Sequence, residues 1–179
     1  MEDGRPKLAG IRTLELKIYF EQIKIGIRLK IKAMKDLRPI LLAEDNPRDV
    51  ELTLEALSEH NLANKVVPVR DGVEALEFLR YEGRFKHRNR ENPAVLLLDI
   101  KMPRMNGIEL LHTIRNDPAL KLLPVVMLTS SREESDLVKS YELGANAFVV
   151  KPVDFSQFID VIKQIGVFWA LINELPPEL

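Results

Sequence analysis

The feature that most constrains this chain is an alternation of five short apolar runs with five helix-like patterns between residues 39 and 168. The apolar runs are PILLA (39–43), KVVPV (65–69), AVLLL (94–98), PVVML (124–128) and AFVV (147–150). Each is followed by apolar residues at helical spacing, opened by a residue able to cap a helix: Asn46, Asp71, Asn106, Ser131 and Asp154. Runs that are apolar throughout suit strands buried on both faces. The rhythm therefore predicts an α/β fold, a doubly wound (βα)5 domain around a central five-stranded parallel sheet.

Polar side chains stand directly after the apolar runs, and ligands of such sheets bind at the carboxyl ends of the strands. Glu44 and Asp45 follow the first run, Asp99 the third, Thr129 the fourth and Lys151 the fifth. Three carboxylates in one crevice repel each other unless a cation is present, and Mg²⁺ suits oxygen ligands and a phosphoryl group. With a lysine and a hydroxyl added, the set predicts a phosphoryl-transfer site in which a carboxylate is the nucleophile.

Four motifs carry a resemblance to a known family, in the right order and at fitting separations. They are LLAEDNP (41–47), LLLDIKMPRMNG (96–107), VVMLTSS (125–131) and FVVKP (148–152). Together they resemble the receiver domain of two-component response regulators, over about residues 38–168 of this chain. The resemblance implies a flavodoxin-like fold and phosphorelay signal transduction.

The resemblance also implies a role for each residue at the strand ends. Asp99 is the expected phosphoacceptor, and Thr129 and Lys151 are expected to contact the phosphoryl oxygens. Mg²⁺ is the expected cofactor, held by Asp45, Asp99 and the backbone carbonyl of Lys101, with Glu44 acting through water. Thr129 and Phe148 are the expected switch residues. We expect Lys101 and Ser131, which flank the path of the attacking water, to set the lifetime of the phosphoryl group.

The function implied is that of a single-domain response regulator. It accepts a phosphoryl group from a sensor histidine kinase and switches its protein–protein contacts; it is not an enzyme beyond its own phosphorylation and dephosphorylation. One alternative is a phosphatase-like enzyme with an aspartyl nucleophile, although such enzymes have an Asp-x-Asp pair after the first strand. Another is a flavodoxin-like binding module, although the loop at 44–46 is acidic and repels phosphate without a metal ion.

Composition and charge divide the chain into three parts. Residues 1–33 hold eight Lys/Arg against four Asp/Glu, which leaves 18 of the 26 basic and 23 of the 27 acidic residues to the remainder. Within 1–33, apolar and polar residues alternate with a period of two at 14–20 and 23–31, the pattern of half-buried strands. This extension is interpreted as an added strand pair or as a segment outside the native functional unit. We assign residues 34–168 to the receiver domain and 169–179 to an apolar tail.

The remaining features bear on location and partners. There is no cysteine, and no leader-like or membrane-length apolar run, so we expect a cytoplasmic protein with no membrane partner. The basic run at 84–90 is interpreted as a solvated loop, with no nucleic-acid partner.

The end of the chain bears on its partners. Phe168 and Trp169, together with the basic insertion, resemble the corresponding residues of stand-alone regulators that partner phytochrome-type sensor kinases. The tail either packs on the core of its own chain or, with the fifth helix and Trp169, forms the interface of a homodimer. The downstream target is not specified.

Overall fold

The computed structural model describes residues 37–58, 62–130 and 134–174. Five parallel strands form one sheet in the order β2-β1-β3-β4-β5. The strands are β1 (Ile40–Ala43), β2 (Val66–Val69), β3 (Val95–Asp99), β4 (Val125–Thr129) and β5 (Ala147–Val150). The expectations for residues 1–33, for Ser131 and for residues 175–179 lie outside the described residues.

A helix follows each strand, as the sequence predicts. The helices are α1 (Pro47–Ser58), α2 (Gly72–Arg80), α3 (Gly107–Asn116), α4 (Glu134–Glu142) and α5 (Phe155–Val167). Short 3₁₀ turns span Ala63–Lys65 and Gly83–Phe85, and a π-helical segment, Phe168–Ile172, continues α5. The flavodoxin-like (βα)5 fold is confirmed.

Burial of the strands follows their position in the sheet. The central strands β1, β3 and β4 are buried along their whole length, which explains why their sequences are apolar without alternation. The edge strands are different: every residue of β5 is half-buried, and β2 carries the exposed Pro68. Proline is tolerated there because an edge strand has a backbone side with no ladder partner.

The helix caps expected from the sequence are present where the structure describes them. Asn106 and Glu109 form a complete capping box at the start of α3. Asp154 accepts from the Gln157 amide at the start of α5. Asp71 caps α2 by accepting from the Glu74 amide, but the Glu74 carboxylate accepts from the Arg70 amide rather than from Asp71.

Helices cover both faces of the sheet. One core cluster joins apolar residues of β1, β3 and β4 to α2 and α3, with Leu110, Leu111 and Ile114 of α3 fully buried. On the other face α1 and α5 pack together, and a Cβ on Gly166 of α5 would lie 2.2 Å from the Leu57 side chain of α1. The glycine therefore permits the close approach of these two helices.

The basic run at 84–90 is exposed at most positions, as the sequence predicts, but Arg88 within it is half-buried. The guanidinium of Arg88 lies between the rings of Phe78 (3.8 Å to the ring centre) and Tyr81 (4.1 Å). It also donates to the backbone oxygens of Phe78, Asn89 and Glu91. A charged side chain can be held this way because aromatic faces attract cations and its stem is apolar. The number of charges in the run does not indicate which aromatic rings lie next to Arg88 after folding.

The end of α5 continues into the apolar tail. Phe168, Leu171 and Ile172 of the π-helical segment are exposed, so they do not pack on the core. Among the described residues, one stretch, Phe155–Ile172, has the length and apolar content of a membrane span. A covering helix of a compact domain meets the same test, and Phe158 and Ile162 of this stretch are buried inside the domain.

Substitution of Gly107 tests how closely α3 approaches the end of β3. A Cβ there would lie 2.2 Å from the Asp99 carbonyl oxygen, a backbone atom. Replacing a helical glycine by alanine ordinarily stabilises a protein by about 1 kcal/mol. We expect Gly107→Ala instead to lower the free energy of unfolding by about 1–3 kcal/mol, because the backbone must shift. Urea unfolding measures this, and an increase in stability would contradict the packing described.

Candidate functional site

The parallel sheet brings the polar strand ends to one edge. Glu44 follows β1 and is held by its amide, which donates to the Val69 carbonyl of β2 at 2.9 Å. Asp99 is the last residue of β3. Lys151 follows β5, and its amide donates to the Thr129 carbonyl of β4 at 2.7 Å. The ends of β1, β3 and β5 thus place Glu44, Asp99 and Lys151 around one crevice, as the sequence predicts.

Three carboxylates form an acidic cluster in this crevice: Glu44, Asp45 and Asp99. One oxygen from each lies within 4.8 Å of the others. Glu44 and Asp99 are buried and Asp45 is exposed, so the cluster opens to solvent on one side. Carboxylate oxygens at this spacing are the donor set that a hard divalent cation prefers. The cluster therefore fits a divalent metal ion.

The ammonium of Lys151 balances part of this charge. Its Nζ lies 2.5 Å from Glu44 Oε2 and 3.0 Å from Asp99 Oδ1. It also lies 2.9 Å from Oδ2 of Asp49, in the first turn of α1. The role of Asp49 is not predicted from the sequence, because an acidic residue in a first turn is already explained by the helix dipole. Its only sequence signal is its position one turn after Asp45, in the helix that begins directly after the site.

Burial and charge act against each other in the crevice. Burial raises the pKa of Glu44 and of Asp99 above their ordinary values, and hydrogen bonding and attraction from Lys151 partly oppose that rise. Burial pulls the pKa of Lys151 down, but the charges of Asp99 and Glu44 outweigh it and hold that pKa above its ordinary range. Lys151 therefore stays protonated, and the carboxylates outnumber it.

The loop after β3 fixes the Asp99 carboxylate. The Lys101 amide donates to Asp99 Oδ2 at 2.8 Å, and the Gly107 amide donates to the Ile100 carbonyl at 2.9 Å. Arg104 has φ = 60°, and its Nε donates to Oδ2 of the buried Asp71 at 2.7 Å. The loop is thus closed on itself and tied to the start of α2. The expected ligand role of the Lys101 carbonyl stays a prediction.

The two expected switch residues are described by the structure. Thr129 is completely buried at the end of β4. Phe148 is half-buried in β5, opposite Met127 of β4, and packs against the core cluster. Neither position by itself tests a switching role, and Ser131 lies outside the described residues.

Comparison with known proteins decides the family. The model of the response regulator receiver domain matches residues 40–163. The chain belongs to this family. It is accordingly a response regulator, a protein of phosphorylation-based signalling, and these comparisons support neither the phosphatase-like nor the flavodoxin-like alternative.

Three relatives place the chain within the family. Response regulator Rcp1 of Synechocystis is 35% identical over 76% of this chain and 92% of its own length. The phosphorylated cyanobacterial phytochrome response regulator RcpA is 40% identical, with 78% of this chain and 99% of that chain covered and a TM-score of 0.72. The bacteriophytochrome response regulator AtBRR is 60% identical over the same shares, with a TM-score of 0.63.

A solved structure of Rcp1 bears on the acidic cluster. It is the Mn²⁺-bound form, 34% identical over 78% of this chain and 99% of that chain, with a TM-score of 0.71. A relative of the same fold therefore binds a divalent metal ion. Together with the spacing of Glu44, Asp45 and Asp99, this supports a divalent metal site in the crevice.

Addition of Mg²⁺ tests whether the acidic cluster binds a divalent metal ion. An ion that binds the folded state alone stabilises it by mass action. We expect excess Mg²⁺ to raise the midpoint of thermal unfolding above its value in EDTA, because the ion offsets the repulsion among the carboxylates. Asp45→Asn is expected to remove most of this rise. Glu55→Gln, an exposed change on α1 outside the cluster, is the control; an equal loss in both variants would contradict the assignment.

Proposed function

We propose that Asp99 accepts a phosphoryl group from a sensor histidine kinase. The observation that carries the proposal is the setting of its carboxylate. Oδ1 lies 3.0 Å from the Lys151 ammonium, and Oδ2 accepts from the Lys101 amide. Both contacts attract negative charge, as a site for an incoming phosphoryl group requires. Family membership and the acidic cluster support the same assignment.

Mg²⁺ is the proposed cofactor. Asp45, Asp99 and the Lys101 carbonyl would hold it, with Glu44 contributing through water. The ion would supply charge neutralisation for the phosphoryl oxygens. Support comes from the three carboxylates within 4.8 Å and from their excess over Lys151.

The proposed transfer needs little covalent chemistry from the protein. An Asp99 carboxylate oxygen attacks phosphorus in line, a new O–P bond forms, and the N–P bond of the kinase phosphohistidine breaks with its electron pair left on the imidazole. Lys151, whose pKa is held above its ordinary range, stays positive throughout and neutralises the transferred oxygens. Water later cleaves the acyl phosphate, with Lys101 and Ser131 setting the rate.

The signal leaves the site through a change in contacts. Phosphorylation adds close to two negative charges and three acceptor oxygens. Thr129 moves towards them, and Phe148 fills the space that this vacates. The surface of α4, β5 and α5 then changes its preferred protein target. The position of Thr129 beside β5 and the partial burial of Phe148 support this route.

The proposed partner is a phytochrome-type histidine kinase in the cytoplasm. Two of the related structures, RcpA and AtBRR, are those of phytochrome and bacteriophytochrome response regulators. The identity of 60% to AtBRR extends over 78% of this chain, so the resemblance is not confined to the shared phosphorylation motifs. The downstream target stays open.

We further propose a homodimer through α5 and the tail, including Trp169. Three large apolar side chains are exposed together at the end of this stretch: Phe168, Leu171 and Ile172. Phe168 also stacks edge-to-face on Trp169, with ring centres 5.0 Å apart. Exposed apolar residues that lie close together mark interaction surfaces more often than scattered ones do.

The phosphoacceptor assignment predicts a chemical phenotype. Asp99→Asn should abolish acid-labile labelling by acetyl phosphate and Mg²⁺, because an amide oxygen is not a nucleophile for this transfer. Intact-mass spectrometry at neutral pH measures the added phosphoryl group. Asp160→Asn, an exposed change on α5, is the control and should label like the parent. Labelling of the Asp99→Asn protein at the parent level would refute the assignment.

The dimer proposal predicts a change in mass. Size-exclusion chromatography with light scattering should give a dimer for the parent and a smaller mass for Trp169→Ala and for Ile172→Ser. Leu122→Ser, which changes an exposed leucine outside α5 and the tail, is the control and should leave the mass unchanged. Equal masses for the parent and both tail variants would remove this interface.

A further inference from the structure

Lys151 has a third anionic partner besides the two that the family assignment involves. Its ammonium donates hydrogen bonds to Glu44 at 2.5 Å and to Asp49 at 2.9 Å, and it forms an ion pair with Asp99 at 3.0 Å. The Lys151 side chain is only 10% exposed and that of Asp49 25% exposed. Partial burial makes such a contact stronger than a surface ion pair.

The three acceptors differ in what else they do. Glu44 and Asp99 belong to the acidic cluster, so a bound metal ion competes with Lys151 for them. In the proposed function a carboxylate oxygen of Asp99 also attacks phosphorus during phosphorylation and leaves it during hydrolysis. Asp49 is outside the cluster found among the described residues. A metal ion held by the cluster therefore does not compete with Lys151 for Asp49.

The start of α1 holds Asp49 in place. The Asn46 side chain accepts from the Arg48 amide, which fixes the first turn. The backbone carbonyl of Asp49 accepts from the hydroxyl of the buried Thr53 at 2.8 Å. The carboxylate thus projects from a rigid helix end, whereas Lys151 has a long stem with four rotatable bonds. Because the Asp49 carboxylate is fixed and contacts the ammonium at the end of the flexible Lys151 side chain, it restricts where that ammonium can lie.

We propose that Asp49 is a positioning residue for phosphotransfer, which holds the Lys151 ammonium in the crevice while Asp99 reacts. The proposal rests on the proposed function of Asp99 and deepens it. It adds a residue of α1 to a site otherwise built from strand ends. It also makes the first turn of α1, next to the crevice opening, part of the phosphotransfer machinery.

Asp49 has a simpler role that the test must separate. A carboxylate in a first turn stabilises its helix through the macrodipole, and that effect requires the charge but not Lys151. Asp49→Ala removes charge and hydrogen-bond acceptor together. Asp49→Asn removes the charge but keeps an acceptor oxygen of the same shape. A dipole role makes the two variants equivalent, whereas positioning makes Asn the better substitute.

The experiment measures phosphorylation of the full chain by acetyl phosphate, with saturation in both donor and Mg²⁺. Asp49→Ala should lower the maximal rate constant on the order of tenfold, a size expected for misplacement of a catalytic group. Asp49→Asn should recover part of the loss. The Mg²⁺ concentration for half-maximal rate should stay within about twofold of the parent, because Asp49 is not a metal ligand. Glu55→Ala, which removes an exposed charge from the same helix, should match the parent.

A measurement without phosphorylation completes the test. Urea unfolding of the parent, Asp49→Ala, Lys151→Ala and the double variant in EDTA forms a double-mutant cycle. The positioning contact predicts a favourable coupling between the two side chains, whereas a dipole role predicts additive effects. If Asp49→Ala does not fold, Asp49→Ser, whose side chain is too short to reach Lys151, takes its place in both experiments and Asp49→Asn remains the comparison.

The outcomes separate this inference from the proposed function. A parent protein that is not labelled at Asp99 overturns the proposed function itself. A labelled parent with an equal maximal rate in Asp49→Ala and Asp49→Asn, or with additive unfolding energies, overturns the positioning role alone. A variant that changes only the Mg²⁺ requirement assigns Asp49 to the metal site and also overturns the proposal.

Discussion

The site depends on one ammonium ion in a crevice of excess negative charge. Lys151 contacts Glu44, Asp49 and Asp99, and the acidic cluster adds Asp45. Burial alone would favour the neutral form of each group, and it raises the pKa of Glu44 and of Asp99. The lysine lets these carboxylates coexist, but one positive charge does not offset them all. The remaining negative charge favours binding of a divalent cation, which together with Lys151 can offset the charge that phosphotransfer adds.

The geometry that keeps these charges together is a property of the whole sheet. Parallel strands end at one edge, so side chains more than 100 positions apart in sequence, such as Glu44 and Lys151, meet there. Backbone hydrogen bonds from Glu44 to Val69 and from Lys151 to Thr129 extend the ladder beyond the strands and hold the charged side chains in register. Gly107 lets the start of α3 lie against the carbonyl of Asp99. The core therefore supports the site, because Glu44 and Asp99 stand at the ends of the fully buried strands β1 and β3.

Asp49 in the site and Arg88 outside it show which contacts a sequence does not predict. Asp99, Asp45, Glu44 and Lys151 were predictable because each directly follows an apolar run, and the rule for strand ends needs no side-chain coordinates. Asp49 was not, because its type and place are fully explained by a helix start. Arg88 was interpreted as solvated because it lies in a basic run, yet it stacks between Phe78 and Tyr81. In both cases the partner is brought close only by folding, and no local pattern marks it.

The sequence by itself determined the fold and the chemistry of the crevice. Apolar runs, caps and strand-end residues are local features, and the rules for parallel sheets convert them into a shared edge. Folding alone brings remote groups into contact: Lys151 donates to Glu44 and Asp49 and pairs with Asp99, and Arg88 docks the insertion on α2. It also left Phe168, Leu171 and Ile172 exposed, where the sequence allowed them to pack on the core. Such contacts depend on distances of a few ångströms between remote segments, which periodicity and composition do not specify.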